Sequence, residues 1–286
     1  MSVLRIVSYN IHKGRSATGA HESLSDLRLG LYGLRPDLLF LQEVQGRNER
    51  DSILDAQHES LAAALDMSVA YGCNAVHAQT DHGNALLSRY PILSYENQDI
   101  SDHRLEQRGL LHATILVDET PVHCVVVHLG LLAAGRSRQI SAIVDRIKRL
   151  VPAQDPLLIA GDFNDWNNRL APQFVRQLGL YEVFSASPHG LSARQLPLSK
   201  SVRNLGRSLR SFHLAKAPAE LVFELGINGA ARHTLPPRTF PSAFPWLRLD
   251  RIYQRGFAVR KANVLHGHPW SQLSDHVPIL TELELP

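Results

Sequence analysis

Asn10, Glu43, His128, Asp162, Asn164, Asp250, Asp275 and His276 each stand at the edge of an apolar run. The runs read IVSYNIH, LLFLQEV, VVVHLG, LLIAGDFND, LRLDRIY and SDHVPIL. A carboxylate, amide or imidazole beside a buried strand is costly to bury unless it is paired or liganded. Taken singly, Asn10 reads as a capping or turn residue and Glu43 as a salt-bridged strand end. Taken together they share a destination, a metal-assisted active site. Hydrolysis of a phosphate ester needs an activated water, neutralised phosphoryl charge and help for the leaving oxygen. A hard divalent cation meets the second need and prefers oxygen ligands, one or two of them protein carboxylates in the case of Mg²⁺. One Glu, an Asn and nearby Asp residues fit Mg²⁺, for which Mn²⁺ can substitute. Neither CxxC nor HExxH occurs, so a zinc site is not indicated. If the strand continues, Asp162 and Asn164 face the same side. The acid can take a proton from water, and the amide can hold that water or a phosphate oxygen. Asp275 and His276 are neighbours and diverge in a regular strand, so both reach one site only from a loop. A protonated His276 offers positive charge to a phosphoryl group, and Asp250 can orient its imidazole.

The elements that must carry these groups follow from hydrophobic spacing. Leu4 to Asn10 predicts a strand, and Leu24, Leu27, Leu31 and Leu34 a helix ended by Arg35-Pro36-Asp37. Leu38 to Gln42 predicts a buried strand, Leu61 and Leu65 a helix, and GNALLSRYPI a strand stopped by Pro91. LLHATILVD and PVHCVVVHL, flanking Glu119-Thr120, read as a hairpin. Ile140, Val144, Ile147 and Leu150 mark a helix whose other face carries Arg146, Lys148 and Arg149. LLIAGDFND is a further buried strand, Pro172 stands near a helix start, and LRLDRIY, VRKANVL and VPILTELEL complete the strands. Strands with intervening helices and no Gly/Ser linker predict one α/β domain with mixed sheets over residues 1–286. LLFLQEV and LLIAGDFND, one in each half, are consistent with an old duplication.

Charge excludes little. Thirty Lys and Arg against 27 Asp and Glu give a net charge of +3, too weak a bias to name a partner. No apolar run approaches the roughly 18 residues of a membrane span. MSVLRIVSYN enters a strand directly, without the charged start and apolar core of a signal peptide. Cys73 and Cys124 are too few for a disulfide framework and read as reduced thiols of a cytoplasmic protein.

The ordered series SYNIH, LQEV, GNALLSR, VHLG, GDFND, LDRIY and SDH resembles the endonuclease/exonuclease/phosphatase superfamily, the DNase I-like hydrolases, over nearly the whole chain. NIHKG, RGLLHA and TFPSAFPWLRLDRIY look nearest to a bacterial branch described only as metal-dependent hydrolases. The resemblance implies a four-layered α/β/β/α sandwich with two mixed β-sheets and a site where strand ends converge. It implies Mg²⁺-dependent phosphoester cleavage with Glu43 as chief metal ligand, Asn10 close by and Asp275 at or near the metal. By the same resemblance Asp162 is the water-activating base supported by Asn164, His276 contacts the phosphate under Asp250, and His128 lines the phosphate pocket. One departure is plain: apurinic endonucleases carry an acid two residues after the Asn, where this chain has His12. That removes a metal ligand, and His12 and Lys13 can bind phosphate instead.

Substrate class stays open at this stage. Leu191 to Ala219 carries Arg194, Lys200, Arg203, Arg207, Arg210 and Lys216 and no acid. This basic insertion can track a nucleic-acid backbone, lie on anionic lipid, or be solvated surface. A small-molecule phosphomonoesterase is the alternative within the class. A non-catalytic nucleic-acid or lipid-binding protein is the alternative outside it, and would require a lost site residue. Arg108 reaches the phosphate or forms an ion pair. Phe240, Phe244 and Trp246 form a substrate wall or pack in the core. His82, His103, His112 and His123 read as structural.

Overall fold

In the computed structural model, residues 2–103, 106–169, 171–186 and 235–286 are described. The basic segment 191–219 lies outside them. The first half runs β1 (Ser2–Asn10), a 3₁₀ turn at His12–Gly14, α1 (Leu24–Leu34), β2 (Leu38–Val44), α2 (Gln57–Leu65), β3 (Ser68–Val76), β4 (Asp81–Ser88), β5 (Ile92–Asp99) and β6 (Gly109–Val117). Then come β7 (Thr120–His128), α3 (Ala133–Leu150), β8 (Leu157–Asp162), α4 (Ala171–Leu178), β9 (Tyr181–Glu182) and α5 (Val183–Ala186). After the segment outside the described residues follow β10 (Asp250–Arg255), β11 (Ala258–Val264), α6 (Trp270–Leu273) and β12 (Ile279–Leu285).

Among the described residues, twelve strands form two six-stranded sheets, ordered β11-β12-β1-β2-β4-β3 and β5-β6-β7-β8-β10-β9. Each sheet has one parallel pair at its centre, β1 with β2 and β7 with β8, and antiparallel pairs on both sides. Period-two alternation builds the layers. Leu4, Ile6, Leu38, Phe40, Cys124, Val126, Leu158, Ala160 and Ile252 point between the sheets. Val7, Tyr9, Leu39 and Leu41 point outward beneath α1 and α2, and Val125, Val127, Leu157 and Ile159 beneath α3 and α4. The result is an α/β/β/α sandwich with two mixed sheets.

Several local expectations are refined. α1 stops where Arg35 turns left-handed ahead of Pro36. The hairpin turns at Asp118-Glu119, with Val117 opposite Thr120, one residue earlier than the sequence pattern predicts; both turn residues have positive φ, as a two-residue hairpin turn requires. Asp250 does not close a strand but opens β10, and Asp275-His276 precede β12. Because β10 and β12 run antiparallel to β8 and β1, their beginnings lie beside the ends of β8 and β1. Arg146 is not on the solvent face of α3. It is buried, and donates to Glu96 Oε2 at 2.8 Å, Gln98 Oε1 at 3.1 Å and His112 Nδ1 at 3.3 Å. It stands three residues after Ile143 and so shares the helix stripe that faces the sheet. Glu96 and Gln98 lie on β5, a strand with little apolar alternation, which makes the arginine's partners hard to foresee.

Candidate active site

Along β1, β7 and β8, the residues that continue the inter-sheet apolar rows are Asn10, His128 and Asp162; on β10 the same row begins at Asp250. The site is therefore the polar end of the inter-sheet layer, where hydrocarbon gives way to carboxylate, amide and imidazole. His128 pairs in register with Asp162 in the parallel pair, and Asp250 pairs with Asp162 in the antiparallel one. Three strands thus deliver their groups to one point by register alone. Gly161, at φ +147°, permits the close approach, since a Cβ there would meet the Val127 carbonyl oxygen at 1.9 Å.

Asp162 is the hub. Its Oδ1 accepts the backbone N–H of Asn164 at 2.9 Å. Its Oδ2 faces Asn10 Nδ2 at 3.4 Å, His128 Nε2 at 3.5 Å and His276 Nε2 at 3.7 Å. Burial pushes the Asp162 carboxyl up from its ordinary value, against the pull of His128 and His276. Asn164 adopts φ 50°, a left-handed conformation that asparagine tolerates well. Its side-chain Nδ2 donates to Leu129 O at 2.9 Å, so what Asn164 supplies to Asp162 is its backbone N–H.

His276 Nδ1 lies 2.8 Å from Asp250 Oδ2, and Phe240 packs on the ring with centroids 4.9 Å apart. Burial lowers the proton affinity of this imidazole, but Asp250, Asp162 and Asp275 outweigh it and push it up to about 10. Two hydroxyls that no sequence motif singles out hold this arrangement. Thr239 Oγ1 accepts the backbone N–H of Asp250 at 3.3 Å. Ser274 Oγ donates to Asn10 O at 2.7 Å and accepts from His276 N at 3.3 Å, tying β1 to the start of β12.

Glu43 sits at φ 54° in the irregularity between Leu41 and Val44 where β2 pairs with β4. Asn10 Nδ2 reaches its Oε1 at 3.3 Å, and Lys13 Nζ donates to its Oε2 at 2.7 Å. Burial pushes the Glu43 carboxyl up, but His128, Lys13 and Asn10 more than reverse this and hold it below the ordinary range. His12 donates its backbone N–H to Asn10 Oδ1 at 3.1 Å, and its Nδ1 lies 3.8 Å from Asp275 Oδ1. Asp275 thus stands on the His12 side, with Ser274 donating to its Oδ1 at 3.3 Å.

The remaining expected residues divide. Arg108 is partnered by Glu106 Oε1 at 3.3 Å and Leu129 O at 3.3 Å, the ion-pair alternative, while its charge helps burial push His128 down to about 4. His112 and His123 bond each other at 3.1 Å beneath α3 and are structural. His82, expected to be structural, is the second residue of β4 and lies within electrostatic reach of the site: burial, then Lys13, push it down to about 4, against Glu43. Its signal was its position directly before GNALLSR. Phe240 lies at the site, whereas Phe244 and Trp246 are exposed and not core.

A divalent cation fits the donor set. One amide, that of Asn10, touches a carboxylate oxygen of Glu43 and one of Asp162, so hard oxygen-bearing groups meet without sulfur, and Glu43 already carries a cation, the Lys13 ammonium. Asp162, Asp250 and His276 also bring side-chain atoms within 4.8 Å of one another, but His276 holds its proton there and pairs with the two carboxylates, while Asp250 Oδ1 is buried with no hydrogen-bond partner among the described residues.

Residues 7–276 match the Endonuclease/Exonuclease/phosphatase family. The chain belongs to that family and is an enzyme that hydrolyses phosphoester bonds. It is 34% identical over 289 residues to the uncharacterized protein YbhP of Escherichia coli K12, an alignment covering 98% of this chain and 96% of that one. Among solved structures it resembles the endonuclease/exonuclease/phosphatase from Bacteroides vulgatus, with a TM-score of 0.69, 16% identity and full coverage of both chains. It also resembles the Bacteroides thetaiotaomicron mannosyl-6-phosphatase Bt3783, with a TM-score of 0.64, 14% identity and coverage of 98% and 99%. D. rerio TDP2 complexed with single-strand DNA product gives a TM-score of 0.62 at 18% identity, covering 99% of this chain and all of that one. No helix among the described residues is long and apolar enough to cross a membrane.

Proposed function

We infer that the chain is a Mg²⁺-dependent phosphodiesterase, served also by Mn²⁺, that acts on nucleic acid or a phospholipid head group. The observation that carries the reading is the convergence of Asn10, His128 and His276 on Asp162 Oδ2, with His276 held by Asp250 at 2.8 Å. In this reading Asp162 takes the proton of the attacking water. A carboxylate whose proton affinity is raised by burial is the better base. Asn164 fixes which Asp162 oxygen faces the water. His276, kept cationic by its carboxylates, receives a phosphoryl oxygen, and His128 borders the same pocket. Glu43 and Asn10 hold the metal, with Asp275 nearby. When bound, the metal neutralises phosphoryl charge and polarises the ester. Attack is direct, without a covalent enzyme intermediate.

Substrate preference is drawn from features beyond the shared centre, because one fold and site chemistry serves many phosphoesters. The solved relatives illustrate this, one a mannosyl-6-phosphatase and one bound to a single-strand DNA product. The basic insertion 191–219 within a single catalytic domain 1–286 supports an extended anionic substrate, nucleic acid or anionic lipid. A small phosphomonoester is the second reading. The two free cysteines are in keeping with a reducing, cytoplasmic setting.

A hydrolysis panel tests this. Plasmid DNA, single-stranded DNA, RNA, phosphatidylglycerol vesicles, a chromogenic diester and a chromogenic monoester are each offered with Mg²⁺, Mn²⁺ or EDTA. Cleavage that needs metal and disappears in both Asp162→Ala and Glu43→Ala supports the site. Cleavage unchanged in both variants rejects it, and the substrate cleaved selects the class.

A further inference from the structure

We propose that Lys13 is a resident cation that competes with the metal for Glu43 and, once displaced, binds the substrate's phosphate. The proposal rests on the metal reading given above. Its ground is a built contact. Lys13 Nζ lies 2.7 Å from Glu43 Oε2, and no other side chain among the described residues forms an ion pair with Glu43. The backbone that presents Lys13 is fixed. His12 and Lys13 both take positive φ, at 47° and 58°. Gln57 Nε2 donates to Lys13 O at 2.8 Å, and Gly14 at φ +67° leaves room for that amide, since a Cβ there would lie 2.7 Å from it. Only the flexible side chain is free to move.

The electrostatics then define two states. With the ammonium on Oε2, Glu43 and Lys13 form a neutral pair. A divalent cation on Glu43 must compete with that ammonium and repels it. The backbone stays pinned, so the displaced Nζ remains within a side chain's length of the site, on the Asn10–Glu43 side. Lysine's compact charge on a flexible stem suits a phosphate oxygen. The consequence is a metal site of moderated affinity that couples metal occupancy to substrate binding.

The test is a Mn²⁺ titration of the full chain by calorimetry, comparing wild type with Lys13→Met and Glu43→Gln. Lys13→Gln stands in if the Met variant does not fold. Lys13→Met is expected to bind Mn²⁺ roughly fivefold tighter, the worth of losing one partly exposed ion pair. Glu43→Gln is expected to lose binding. At saturating Mn²⁺, KM of Lys13→Met for a chromogenic diester is expected to rise several-fold, with a smaller change in kcat. A second readout needs no variant: Mn²⁺ should raise acetylation of Lys13 by acetic anhydride, measured by peptide mass spectrometry. Binding lost in Glu43→Gln but unchanged or weaker in Lys13→Met overturns the proposal and leaves the metal site standing. Binding unchanged in Glu43→Gln overturns both. An unchanged KM removes the phosphate-binding role.

Discussion

The two sheets repeat one plan, yet their central parallel pairs end differently. In the sheet of β7 and β8 the ladder is regular to its last rung, His128 opposite Asp162, and the terminal groups are buried. In the sheet of β1 and β2 the rungs stop at Asn10 opposite Gln42, and Glu43 projects from an irregularity at positive φ, with a lysine on its outer oxygen. The same frame thus produces two electrostatic environments. Complete burial raises the proton affinity of Asp162 in spite of its neighbouring imidazoles, which suits a base. A carboxylate paired with a cation is held ionised, suited to a metal. What distinguishes them is the partners that the neighbouring strands and loops supply, not the residue type.

The largest expected effect sharpens that division. Asp162→Ala should lower kcat by about 1,000-fold or more at any metal concentration, as expected for loss of a base that also organises its neighbours. Glu43→Gln should lose activity that rises again as Mn²⁺ is raised. Metal titrations of both variants read this directly, and equal recovery of the two would erase the division of labour.

Asp250→Asn comes next, with a fall in kcat of roughly 100-fold, because the imidazole loses its orienting carboxylate. The pH profile carries the sign. His276 is raised to about 10, so a step needing the imidazolium is retained below that value and lost as pH rises through it. Removing Asp250 lowers this affinity and should move the alkaline limb of kcat/KM to lower pH. A limb that stays in place would show that His276 is not the group it reports.

Gly161→Ala probes the regular ladder itself. The new Cβ meets the Val127 carbonyl oxygen in a parallel pair that cannot open without breaking the His128–Asp162 register. A loss of about 2–4 kcal/mol is expected in urea unfolding. A loss under about 0.5 kcal/mol would mean the β7–β8 frame yields more easily than its geometry implies.

The smallest effect lies away from the site. His112 is held down to about 4 by burial and then by Arg146, from an ordinary 6.5. The unfolded chain therefore binds more protons than the folded one between those values, so stability falls as pH drops from about 6.5 to 4. His112→Asn should reduce that acid-induced loss by on the order of 1–3 kcal/mol, seen in urea midpoints at pH 7 and pH 4.5. An unchanged difference between the two pH values would count against a buried neutral His112.

Much of this was legible in the chain. The apolar runs fixed where β1, β2, β7, β8 and β10 lie, and their parity placed Asn10, His128, Asp162 and Asp250 in line with inter-sheet residues. The motif order identified the family and its layered fold. β3 and β5 were not foreseen: both are sheet edges, in β3 the irregularity between Cys73 and Ala75 shifts the alternation, and in β5 the polar run Glu96-Asn97-Gln98 hides it. Arg146 was misplaced for a related reason: helical spacing gives faces, but a buried arginine is allowed only by partners on another element.

Sequence by itself thus determined the residue types, the central strands that carry them and the sheet face of Asn10, His128, Asp162 and Asp250, since period-two alternation is a local property of the backbone. It could not decide which strands pair, which carboxyl keeps a proton-hungry oxygen and which carries a cation. Those depend on distances between residues far apart in the chain, such as Asn10 to Asp162 and Asp250 to His276. Only the packed tertiary structure sets them, because the strength of a charge's interactions is fixed by its burial and by the groups brought within a few ångströms of it.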